Sequence, residues 1–460
     1  MQKLAVPLLA LSLLLVGTGP ATPRVHPNAA PSPSAALVRA AQAVKATTTV
    51  QKRTARAQGR NIQVLAHHDL GGGGLNADVY SFRKFAYVGV WSGPCPATGV
   101  KVVDISKPRD PELVSVLQNP EGTSAEDVVV VKANTPSFRG DLAVTGIQAC
   151  DIFSEVPRGL QFFDVSDPTN PTELGFWELP APLIGCHEVD LAPAAGRRVL
   201  AACANPFGDS LGQEFLGQAQ PEVFVVDASD PSNPATLGTF GGINNAEGEG
   251  CFPASFGHSV RLFDKARTLY ASYWDAGLIQ LDISDPTNPR HIGTVDTVPP
   301  DEDGDVHSMA RGRAGLAFIN PEDFSPIDEA AGFCAPGDWD GWGDLQIWDI
   351  SDPANPTFVS QFATANAASK RTDGFFSIHN TEVLHGNLLA ASWYSDGIRL
   401  IDISQPADPR EVGSFVPPAT PDPTGFFPPV PNVWGVWPHR GNIVLASDIN
   451  SGLWILKVTG

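Results

Sequence analysis

Four histidines stand in matching contexts along the chain: His187 (CHEV), His258 (GHSV), His307 (VHSM) and His379 (IHNT), each opening a short β-run. Neutral imidazole is the commonest side-chain ligand for borderline transition metals, so convergence of the four would make a site for Zn or Cu. Glu126 and Trp434 align with them on either side, and Glu126 or Glu188 would add a carboxylate. A second reading stays open: each ring bonds within its own repeat, for example to Ser272 or Ser392, and recurs because the repeat does. Six cysteines, Cys95, Cys150, Cys186, Cys203, Cys251 and Cys334, are an even set. In an exported chain that implies disulfides, and position along the repeats favours Cys95–Cys150, Cys186–Cys203 and Cys251–Cys334; a thiolate metal site is the competing reading.

Other chemistry is thinner. Asp301-Glu302-Asp303-Gly304-Asp305 begins like a calcium loop, but Gly312 stands where a helical loop of that kind needs Glu, so Ca²⁺ ranks behind Zn and Cu. Trp339 and Trp342, in the acidic stretch 338–344, are placed either to stack on a sugar or peptide or to pin their loop. No nucleophile elbow, zincin helix or phosphate loop is expected.

The elements that position these residues come from a repeat. VDISKPRDPELV from Val103, FDVSDPTNPTELG from Phe163, VDASDPSNPATLG from Val226, LDISDPTNPRHIG from Leu281, WDISDPANPTFVS from Trp348 and IDISQPADPREVG from Ile401 share one signature. Its aspartates, Asp104, Asp164, Asp227, Asp282, Asp349 and Asp402, are 53 to 67 residues apart. Such a period indicates stacked blades or solenoid turns. In each copy a β-run ends in Asp, whose carboxylate can accept downstream N–H groups, and two prolines then fix the bend, so the Asp residues read as turn formers. Two further β-runs precede each signature, as in Thr381–Leu384 and Leu388–Ser392 before Ile398–Asp402 and Glu411–Phe415. Four short antiparallel strands per repeat make a propeller blade.

After the sixth signature, Asn442–Ser447 and Gly452–Val458 supply an incomplete seventh blade, whose missing outer strand is available from Asn61–Ala66. The expected fold is all-β: a seven-bladed β-propeller of four-stranded antiparallel blades over residues 61–460, closed by an N-terminal strand. The (L/V/I)-D-(I/V)-S-x-P-x-(N/D)-P signature resembles the LVIVD-repeat family of secreted bacterial and archaeal β-propellers over that whole span, and Ser392-Trp393-Tyr394 with Gly397-Ile398-Arg399 is similar to its strand-end pattern. That resemblance implies a fold and no general activity. Copper-dependent propeller oxidases related to the selenium-binding proteins are similar in architecture only, a weak warrant for function.

Ahead of the repeats, residues 1–20 carry Lys3 and a short apolar run and read as a signal peptide; residues 21–60 read as a basic Pro/Ala-rich linker, disordered or partly helical. Residues 1–60 hold eight Lys/Arg and no Asp or Glu, leaving 22 Lys/Arg against 50 Asp/Glu in residues 61–460. An acidic body excludes phosphate-backbone binding, so nucleic acid is not an expected partner. No membrane span is expected after the leader, and the mature protein is expected to be a secreted, periplasmic or cell-surface monomer. Long connections fall between the second and third strands of the blades, gathering loops and cysteines on one face. The leading expectation is a non-catalytic binding scaffold for an extracellular protein, carbohydrate or small molecule. The alternative is a Cu- or Zn-dependent enzyme at the channel mouth.

Overall fold

The computed structural model describes residues 58–460 apart from 73, 92–94, 96–98, 182, 244–250, 252–253, 298–303 and 333–340. The expected leader and most of the linker lie outside these residues. The described strands form four antiparallel sheets of four strands, one of five and one of eight, in which two successive sets of four are joined through the Val90–Ala125 pair. The first set is Asn76–Phe82, Phe85–Val90, Val100–Asp104 and Glu112–Leu117, and the sixth is Thr381–His385, Leu388–Ser392, Ile398–Asp402 and Arg410–Val416. In the last set Ile62–His68 pairs antiparallel with Gly452–Val458, so the outermost strand comes from the chain's other end. Gln58–Arg60 also forms a strand, paired with Arg410–Val416 as a fifth member of the sixth set. The described structure therefore starts inside the stretch expected to be linker.

The repeat signature does what its chemistry requires. Asp104, Asp164, Asp227, Asp282, Asp349 and Asp402 each accept, through Oδ1, the backbone N–H of the serine two residues on, at 2.7–2.9 Å. A second turn follows in each copy, closed by bonds such as Asn288 N–H to Asp285 O at 3.1 Å and Asn355 N–H to Asp352 O at 3.0 Å. The fourth strand then pairs back with a one-residue bulge, as between Gln280 and Leu281, which increases the local twist.

Apolar clusters lie between consecutive sets: Tyr87, Val102, Val128 and Phe163 join the first and second, and Leu445, Ile455, Val79 and Val103 join the last to the first. The inner strands thus bury both faces while outer strands such as Arg290–Val295 stay largely exposed, and the cores follow one another around a ring. The first strands of successive sets lie beside one another around the axis. They are stitched there by Asp127, which accepts Val189 N–H at 2.9 Å, and by Asp190, which accepts Leu262 N–H at 2.6 Å.

Candidate metal centre

All four histidines are at the start of the axial strands. The backbone N–H of His187, His258 and His379 donates to the end of the neighbouring second strand, to Ala204, Ser272 and Ser392 O, at 2.8, 2.8 and 3.0 Å. His307 reaches the same level through a bulge, since pairing skips from Val306 to Ser308. Local backbone chemistry thus sets every ring at one end of the channel.

There the rings lie in a row, each edge-on or tilted to the next. Centroid separations are 4.4 Å for His187–His258, 4.2 Å for His258–His307 and 4.0 Å for His307–His379. Glu126 closes one end, its Oε2 2.9 Å from His187 Nδ1. Trp434 closes the other, 4.5 Å from His379. These are the two residues the repeat alignment places beside the histidines. All four rings are buried, His379 completely.

Two groups of ligating atoms form within this row, Glu188 with His258 and His307, and Glu322 with His307 and His379, each with its atoms within 4.8 Å of one another. Glu188 Oε1 lies 3.8 Å from His258 Nδ1 and 3.7 Å from His307 Nε2. Glu322 lies 3.9 Å from His307 Nε2 and 3.6 Å from His379 Nε2. Donors on a tetrahedral ion with bonds of about 2.0–2.1 Å stand about 3.3 Å apart, so these carboxylate–imidazole contacts need to close by only a few tenths of an ångström. His307 Nε2 faces both carboxylates and belongs to both groups, which makes them alternatives for one ion. His187 belongs to neither group and sits behind His258, Nε2 to Nε2 at 2.9 Å.

The serines offered as local partners are otherwise engaged: Ser272 Oγ accepts from Ser259, and Ser392 Oγ donates to Trp434 O. His307 and His379 are fully buried and face the backbone of His379 and Trp434 respectively, with His307 Nδ1 and both His379 nitrogens outside good hydrogen-bond geometry. Burial, reinforced by the neighbouring imidazoles, holds His258, His307 and His379 well below the usual imidazole pKa, keeping their lone pairs free of protons at neutral pH. Burial pushes Glu188 well above the carboxylate range, and Glu322 up to about 8. A cation is the species that would stabilise both sets of groups in their ligating form.

Glu322 and Tyr394 escaped the sequence reading. Glu322 follows the second strand of the fifth set, and the Tyr394 hydroxyl donates to its Oε1. The available signal was strand-end placement: Tyr394 ends the Ser392-Trp393-Tyr394 segment, and Trp274 occupies the corresponding place two residues after Ser272, both with positive φ. Gly208-Asp209-Ser210-Leu211-Gly212 has G-x-S-x-G spacing, although no nucleophile elbow is expected. It is no nucleophile elbow: the left-handed residue is Phe207, and Ser210 lies within the short helix Gly208–Leu211, its Oγ donating to Phe207 O at 3.3 Å.

Cys95 is paired with Cys150 and Cys186 with Cys203, with Cα separations of 6.0 and 5.3 Å. Cys251 is also disulfide-bonded; Cys334, its expected partner, lies outside the described residues. Trp342 is buried, donates to Arg371 O at 2.8 Å and packs on Phe324 and Phe376, so it pins its loop. Trp339 and most of the 301–305 acidic stretch lie outside the described residues. No helix among the described residues is long and apolar enough to cross a membrane.

The LVIVD repeat matches residues 73–118, 218–241, 269–297, 339–364 and 395–416, windows that contain five of the six Asp turns. No curated protein matches the chain. Among solved structures, the chain is similar to the Cps50 (Swd1) β-propeller domain of Myceliophteria thermophila, at TM-score 0.50 and 12% identity over 84% of this chain and 98% of that one. It is similar to Raptor of Chaetomium thermophilum at TM-score 0.52 and 13% identity, over 91% of this chain and 30% of that one. At such identities the likeness speaks for the fold alone. With its Asp-Ser turns formed, its four-stranded antiparallel sheets and the repeat matched in five windows, the chain belongs to the LVIVD-repeat family of β-propellers.

Proposed function

We propose that this protein is an exported propeller of seven blades, acting as a binding scaffold whose ligand is one divalent transition-metal ion, Zn²⁺ or Cu²⁺, held at the loop-bearing end of its channel. The observation that carries this is the placement of His258, His307 and His379 with Glu188 and Glu322 in two overlapping triads, all five side chains buried. Imidazole with carboxylate suits Zn and Cu better than the hard, oxygen-seeking Ca²⁺. The paired cysteines support an oxidising compartment, and the leader-like residues 1–20 agree with export.

The test is elemental analysis of protein purified from an exported fraction, followed by titration of chelator-treated protein with Zn²⁺ and Cu²⁺. One equivalent bound, and lost in a His258→Ala/His307→Ala double variant that stays folded, is the expected result. A wild-type protein that takes up neither ion overturns the proposal. A metal-dependent enzyme is the second reading, favoured by the Tyr394 hydroxyl bonded to Glu322, since a phenol beside a metal-bound substrate is placed to deliver a proton.

A further inference from the structure

His187 is the one member of the histidine row outside both ligating groups, yet it has the closest polar contacts in the row. Its Nδ1 is 2.9 Å from Glu126 Oε2 and its Nε2 is 2.9 Å from His258 Nε2. The other nitrogen of His258, Nδ1, faces Glu188 Oε1 at 3.8 Å and the His307 carbonyl oxygen at 3.2 Å.

Resting on the metal reading above, we infer that Glu126 and His187 form a positioning relay that selects Nδ1 of His258 as the ligating atom, and that His187 itself is not a ligand. A neutral imidazole carries one proton; without an ion the His307 carbonyl oxygen, which can only accept, holds it on His258 Nδ1, and a cation on Nδ1 replaces that bond and requires the proton on Nε2. His258 Nε2–H then donates to His187 Nε2, which places the single His187 proton on Nδ1, where the Glu126 carboxylate accepts it. Each step fixes the next, and the chain ends on a charge. A carboxylate behind a histidine raises the basicity of the ring that bonds the metal; here the influence passes through one additional imidazole.

As placed, the Gln148 amide would donate to an unprotonated His187 Nδ1, and the relay needs it turned over. Its Nε2 is 2.9 Å from His187 Nδ1, while its Oε1 is buried without a partner. Turning the amide over gives Nδ1–H a second acceptor and satisfies the orphaned oxygen; amide nitrogen and oxygen are interchangeable in such an assignment.

The experiment loads the full-length mature protein with Co²⁺, whose visible spectrum reads ligand number and type, and measures affinity by chelator competition. In His187→Phe the affinity should fall ten- to hundred-fold while the saturated spectrum matches wild type. Glu126→Gln, which keeps an acceptor but loses its charge, should fall less and also keep the spectrum. A changed spectrum in His187→Phe makes His187 a ligand and overturns the relay, leaving the metal reading intact. The relay is also read without any ion: in ¹⁵N-labelled protein a ¹⁵N–¹⁵N coupling across the Nε2–H···Nε2 bond should link the two rings. Its presence in a protein that binds no metal would sustain the hydrogen-bonded pair and sink the metal reading. Its absence overturns the relay whatever the metal result.

Discussion

Gly293, in the outer strand of the fourth blade, lies so close to Pro353 of the fifth that a Cβ on it would stand 1.9 Å from the Pro353 carbonyl oxygen. Gly293 is eleven residues after the turn aspartate Asp282, and Pro353 is four residues after Asp349. The same offset recurs between other neighbours: a Cβ on Gly175 would meet Pro231 O at 2.5 Å, and one on Gly238 would meet Pro286 O at 2.4 Å. Where the strand carries serine instead, the hydroxyl makes the contact, Ser115 to Pro168 O at 2.5 Å and Ser360 to Pro406 O at 2.6 Å. The turn of each of these blades thus docks on the outer strand of the blade before it.

Gly293→Val should therefore separate two blades at their rim. Overpacking against backbone cannot be relieved by a side-chain rotation, so a loss of at least about 2 kcal/mol is expected. The same change at Gly386, with nothing near its Cβ position but a φ of 59°, costs only backbone strain. Chemical denaturation of both variants checks this; equal losses would mean that blade contact at Gly293 carries no weight.

How far the sequence could be read follows from where the information sits. The Asp turns and strand limits were legible because they are local: Leu388–Ser392, Ile398–Asp402 and Gly452–Val458 have the limits read from the sequence. The Gly or Ser at the eleventh position was visible in the alignment, but its cause, the next blade's proline, is non-local. The histidines were legible because they share the repeat's frame. Glu322 was not, because it follows the second strand, in a connection whose length differs from blade to blade. That His187 faces Glu126 and His258 rather than an ion depends on side-chain rotation, for which sequence has no signal.

Ring closure gives the next expectation. Ile62–His68 covers the edge left by Gly452–Val458, and an uncovered edge in a ring also opens it. Deleting residues 61–70 should lower the melting temperature sharply and promote association, whereas deleting 21–57 should leave melting unchanged. Deletion of 21–60, which adds Gln58–Arg60 and the Arg60–Glu411 pair at 2.8 Å, should fall between them, because the strand it removes lies outside an already four-stranded sheet. Equal behaviour of the 61–70 and 21–57 deletions would show that closure is not where the stability lies.

Disulfides are tested by non-reducing peptide mapping, which should recover Cys95–Cys150 and Cys186–Cys203 and place Cys251 with Cys334. Cys186–Cys203 spans 17 residues, so removing it by Cys186→Ala/Cys203→Ala should cost about 3 kcal/mol. Six free thiols in the exported protein would contradict the paired assignment.

The last prediction concerns Glu222, buried at the start of the third strand of the third blade and accepting Gly257 N–H at 3.3 Å. Burial, with Asp209 nearby, pushes its pKa up from 4.5 to about 8. For a raised acid the folded state holds the proton more tightly than the unfolded chain between those two values. Its contribution is therefore fully present below about pH 4.5 and is lost as pH rises towards 8. Glu222→Gln keeps the shape and cannot ionise, so the variant should gain on wild type steadily across that window. Near neutral pH the gain approaches about 1.4 kcal/mol per pH unit, and it levels off above 8. Urea denaturation of both proteins at pH 5, 6.5 and 8 measures the difference. A difference that does not change with pH would mean that Glu222 ionises as readily in the folded protein as in the unfolded chain.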